Sequence, residues 1–93
     1  MTNKNIILIR NNLDKLDDHF LNLIKKRTKL VDQVLKNKKF KKEKIDKKRI
    51  KVILSNIKKK SKKKGIDPRI TQNIWKSMIK SYIDYEFRNF KKK

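Results

Sequence analysis

The stretch IRNNLDKLDDHFLNLIKKRTKLVDQV (residues 9–34) decides the fold. Its apolar residues Ile9, Leu13, Leu16, Phe20, Leu23, Leu30 and Val34 return at steps of four and three, the repeat of one face of an α-helix. Neither Gly nor Pro interrupts the pattern, so a first helix is predicted from about Asn5 to Lys38. Four-three spacing held over that length predicts a helix lying along another helix. One position breaks the stripe: after Leu23, the next apolar place is taken by Arg27.

That arginine stands out against the composition. Of 30 basic residues only five are arginine (Arg10, Arg27, Arg49, Arg69 and Arg88), so lysine is the default cation. Lysine supplies solubility equally well. A planar guanidinium is required where a carboxylate is held by two parallel hydrogen bonds.

Working outward, the tract KNKKFKKEK (36–44) loses the period and reads as a solvated loop whose lysines repel one another. Periodicity resumes at Ile50, Ile53, Leu54 and Ile57, with Asp46 as the N-cap of a second helix. The pattern decays into KKKSKKKG, where Gly65, the only glycine, supplies the stop. Asp67 and Pro68 restart the chain as N-cap and first helical residue. The third helix carries Ile70, Ile74, Trp75, Met78, Ile79, Tyr82, Ile83 and Phe90. No strand candidate and no internal repeat is present, so the expected class is all-α.

With 93 residues the chain has room for one small domain, read here as residues 1–93, and pairing with a second copy would enlarge its modest core. Charged residues are 42% of the sequence and the formal charge is +21, which raises nucleic acid as a partner. The lysines are spread over all three segments and lack interleaved aromatics, so a solvated surface is the stronger reading and no specific nucleic acid is expected. There is no cysteine for disulfides or thiolate metal sites. The longest apolar run, IILI (6–9), is too short for a membrane span or a secretory signal, and a cytoplasmic protein is expected.

Polar residues on the apolar faces are the candidates for chemistry. Arg27 and Lys38 are eleven residues apart, hence within about 20° around a helix and about 16 Å along it. Cations on a covered face require an anionic partner, although Lys38 also reads as a side chain snorkelling from a stripe that is ending. Arg10 points about 100° away from Arg27, so it serves the same site only across a partner helix. Arg49 adjoins the stripe residue Ile50. Tyr82 and Glu86 share a face with Trp75 and Ile79, and Glu86 reads first as an ion-pair partner of Arg27 or Arg49, second as a functional acid. The implied ligand is a small molecule with carboxylates, held between helices.

In combination and in this order, these positions resemble the all-helical (type II) chorismate mutases. The similarity runs through IRNNLDKLD (9–17), IKKRTKLVDQVLKNK (24–38), DKKRI (46–50), GIDP (65–68) and IWKSMIKSYIDYE (74–86). The resemblance implies three-helix chains forming an intertwined homodimer with two active sites. Arg27, Lys38, Asp46, Arg49, Ile50, Tyr82 and Glu86 would contribute to one site, with Arg10 entering from the partner chain. It also implies a reaction, the Claisen rearrangement of chorismate to prephenate in aromatic amino-acid biosynthesis, that uses no metal, cofactor or nucleophile. Arg10 and Arg27 would clamp the two carboxylates, and Lys38 and Glu86 would face the ether oxygen.

Two positions depart from the family pattern. Many members carry Glu where this chain has Ile50, and Ser where it has Tyr82. Both replacements resemble the related isochorismate-pyruvate lyases, the alternative activity. The mutase is placed first because it is the commoner activity and the lyases often retain weak mutase action. A lysine-rich, non-catalytic helical protein that binds nucleic acid such as RNA, or an acidic partner, is the remaining reading. It requires nothing special of Arg10 and Arg27.

Overall fold

A computed structural model of the chain describes residues 3–37 and 46–89. They form three α-helices, α1 (Lys4–Lys36), α2 (Lys47–Lys63) and α3 (Pro68–Asn89), and no strand occurs among the described residues. The expected all-α class is therefore observed. None of the described helices is long and apolar enough to cross a membrane. The chain divides into two compact units between Gln33 and Val34.

Helix α1 has 33 residues, about 50 Å at the rise of an α-helix. It starts one residue earlier than the periodicity predicts because Asn3 caps it. The Asn3 side chain accepts a hydrogen bond from the Asn5 amide at 2.8 Å, and its carbonyl accepts those of Ile6 and Ile7. The helix ends at Lys36 rather than Lys38, and Lys38 lies outside the described residues, as does most of the expected loop. Its apolar stripe is exposed: Ile9, Leu13, Leu16, Phe20, Leu23, Leu30 and Val34 retain 45–62% of their accessible surface. The half-buried side of its last turns, Arg27, Thr28, Val31, Asp32 and Leu35, is centred further around the helix, with Arg27 still on the stripe.

In the second unit α2 and α3 pack as a helical hairpin. Asp46 caps α2, its Oδ1 accepting from the Arg49 amide at 2.9 Å. Although the apolar pattern fades at KKKSKKKG, the helix continues through Lys63. The turn closes by two backbone bonds: the Ile66 amide donates to the Ser61 carbonyl at 2.9 Å and the Gly65 amide to Lys62 at 3.2 Å. This arrangement needs a left-handed residue after the cap, and Gly65 has φ +70°. Asp67 then caps α3 through the Arg69 amide at 2.9 Å, with Pro68 in the first turn. Phe90 lies outside the described residues.

Two side-chain links tie the hairpin together. Gln72 Nε2 donates to the Leu54 carbonyl at 2.9 Å, and the Ser61 and Thr71 hydroxyls meet at 2.7 Å. Ser61 Oγ also lies 2.6 Å from the Ile57 carbonyl, which only a donor can satisfy. Thr71 Oγ1 in turn lies 3.3 Å from the Pro68 carbonyl, so each hydroxyl of the pair also has a carbonyl of its own helix to donate to. Ser61 is 3% exposed. It continues the α2 stripe four residues beyond Ile57, which is why the serine inside the lysine run faces inward. No apolar side chain among the described residues is buried.

Candidate functional site

The hairpin brings five of the eight candidate positions to the same height. From the end of α2 at Lys63, Ile50 lies about 20 Å and Asp46 about 26 Å back along the helix. From the start of α3 at Pro68, Tyr82 lies about 21 Å and Glu86 about 27 Å forward. Since the two helices run back along each other from a tight turn, Asp46, Arg49, Ile50, Tyr82 and Glu86 all belong to the hairpin's open end.

Their surroundings differ. Arg49 is exposed, and Ile50 is half-buried on the α2 seam. Asp46 is exposed, and its carboxylate Oδ1 is engaged as the α2 cap. A contact from Asp46 to a ligand would therefore share a group that also holds the helix start. Tyr82 is half-buried and meets the ring of Tyr85 edge-to-face, with centroids 6.3 Å apart and planes at 89°. Glu86, on the same face as Trp75, Ile79 and Tyr82, is 9% exposed. It and Ser61 are the only buried side chains among the described residues. A carboxyl group is thus kept from water more completely than any described apolar side chain.

Within α1, Arg27 is half-buried and Arg10 exposed. Seventeen residues separate them, about 26 Å along the helix and about 100° around it. A small dicarboxylate does not span that distance, so the two guanidinium groups of one chain are not placed to grip its two carboxylates. Thr28, next to Arg27, turns its hydroxyl back to the Ile24 carbonyl at 2.8 Å.

Sequence reasoning missed Ser61 and Tyr85. Ser61 was legible as a stripe position inside a lysine run. Tyr85 has a weaker signal, an aromatic three residues after a candidate aromatic, the spacing at which helical side chains meet.

No curated protein and no solved structure matches the chain. The family model for chorismate mutase type II matches residues 9–87, a span that runs through α1, α2 and α3 and includes all eight candidate positions. The chain belongs to the chorismate mutase type II family.

Proposed function

We propose that the protein is a chorismate mutase that converts chorismate to prephenate, as a cytoplasmic homodimer with intertwined α1 helices, in aromatic amino-acid biosynthesis. In this family context, the observation that carries the reading is the burial of Glu86 beside Tyr82 at the hairpin's open end. A carboxyl withheld from water needs polar partners, and the polar atoms of a bound substrate are suited to be among them.

The rearrangement breaks the ether C–O bond while a C–C bond forms, and it needs no proton transfer. Its demands are a compact substrate conformation and stabilisation of the charge that builds on the ether oxygen. Arg27 and Arg10 of the partner subunit hold the two carboxylates. The partner is necessary because Arg10 and Arg27 of one chain are too far apart. The ammonium of Lys38 would stabilise the ether oxygen, with Glu86 as the second polar side chain there. Arg49 steadies the polar edge of the substrate beside Lys38, and Asp46 fixes the start of α2 beneath Arg49. The exposed stripe of α1 is the surface on which the second copy lies.

Ile50 and Tyr82 favour a second reading, isochorismate-pyruvate lyase. A half-buried isoleucine offers no acceptor for the ring hydroxyl of chorismate. Supplying the purified protein with each substrate separately decides between them. Prephenate from chorismate is expected, with Ile50→Glu making it faster. Rapid salicylate and pyruvate from isochorismate, with little prephenate, assigns the lyase.

A further inference from the structure

We propose that Tyr85 is a positioning residue for Tyr82, fixing the orientation of that ring in the substrate site. This inference rests on the proposed reaction for its kinetic consequence, though not for the ring contact itself. A lone tyrosine on a helix has two accessible χ1 wells, which place its phenol several ångströms apart. Tyr85, one turn further along α3, meets Tyr82 edge-to-face at 6.3 Å and 89°, the geometry that the aromatic quadrupole prefers. Tyr85 is held in turn. The Arg88 guanidinium carbon lies 6.0 Å from the centre of its ring, and Arg88 Nε donates to Asp84 Oδ2 at 3.0 Å. The helix itself is steadied at this level by Asn89, whose Nδ2 donates to the Tyr85 carbonyl at 2.8 Å.

Tyr82 shares the helix face of Glu86 at the hairpin's open end, so in the proposed site its ring takes up volume. A ring free to swing would obstruct the substrate for part of the time. Held by Tyr85, it becomes a fixed wall on the face that carries Glu86. Tyr85 therefore acts on the reaction through Tyr82 and needs no substrate contact of its own.

Tyr82 and Tyr85 are the only two tyrosines in the sequence, which makes the pair accessible to labelling with 3-fluorotyrosine. In Tyr85→Leu the single remaining ¹⁹F resonance, from Tyr82, should shift and change width in the full-length protein without substrate. kcat/KM should fall by about two- to tenfold, the range expected for losing one edge-to-face pair, and Tyr85→Phe should restore it. In a Tyr82→Ala background, Tyr85→Leu should cause no further loss. An unchanged ¹⁹F signal overturns the proposal, as does an equal loss in both backgrounds. Absence of turnover with both chorismate and isochorismate would refute the proposed reaction instead, and the ¹⁹F comparison would still decide the ring contact.

Discussion

Ile9, Leu13, Leu16 and Leu23 of α1 remain mostly open to solvent, whereas Ile50, Ile53, Leu54 and Ile57 of α2 are half-buried along the seam with α3. The two regions draw on the same residue types at the same helical spacing, so composition does not separate them. The difference is in what the sequence places nearby. The hairpin carries its own partner twenty-odd residues away, together with a glycine stop, two aspartate caps and a hydroxyl pair that set where the helices meet. The stripe of α1 continues for most of its length without such devices. Covering one half-exposed Leu or Ile contributes on the order of 1 kcal/mol, so seven stripe positions together rival the whole stability of a small domain. In the proposed dimer a second copy of the chain would supply a matching stripe.

The largest test of this contrast is subunit mixing. Arg10→Ala and Arg27→Ala should each abolish most of the activity. An equal mixture, refolded together, should recover about a quarter of the wild-type rate, because half the dimers are mixed and each has one intact site. Sedimentation should show dimers throughout. An active monomer would break the assignment of the α1 stripe to a partner.

Next in size is Arg27→Lys, which keeps the charge and loses the two-pronged grip on a carboxylate. Activity should fall by roughly ten- to a thousandfold, about 1.4–4 kcal/mol in the barrier. Arg69→Lys, in the first turn of α3 near the closed end of the hairpin, is the control and should change little. Similar losses at both positions would remove the reason for distinguishing Arg27 from the remaining cations.

The hairpin side of the comparison is sharpened by stability rather than rate. Ser61→Ala removes the hydroxyl that links Thr71 to the Ile57 carbonyl inside the seam and should cost about 1–2 kcal/mol, lowering Tm by roughly 5–10 °C. At Gly65 an added Cβ meets nothing within 4 Å. The cost of Gly65→Ala is therefore the left-handed backbone alone, about 1 kcal/mol. Thermal denaturation that ranks Gly65→Ala above Ser61→Ala would mean that the turn, not the hydroxyl pair, holds the hairpin.

These contrasts also mark what the sequence could express. Helix identity, the Asp46 and Asp67 caps and the Gly65 stop were legible because each depends on residues within a few positions. Asn3 was not read as a cap because it precedes the stripe by several residues. The covering of α1 was legible only as a need, since periodicity says that a face must be covered and not by what. At the site, Arg27 and Glu86 stood out as polar residues on apolar faces. The orientation of Tyr82 depends on a ring-to-ring contact, and periodicity carries no information about angles between rings.

The smallest expected effect concerns Glu86, where the question is what exchanging a carboxyl for an amide does to the rate. A glutamine amide donates a hydrogen bond, which an ionised carboxylate cannot do, and the two side chains have nearly the same volume. Under the proposed reaction Glu86→Gln therefore offers the ether oxygen a donor and leaves the arginine clamp untouched. Burial makes the exchange matter, since a solvated side chain would have water between it and the substrate and Glu86 is largely shielded from water. Rates measured with saturating chorismate should show that the variant keeps substantial activity. An inactive Glu86→Gln with a lowered Tm would make Glu86 a structural anchor of the open end, and the proposed donor at the ether oxygen would then be Lys38 alone.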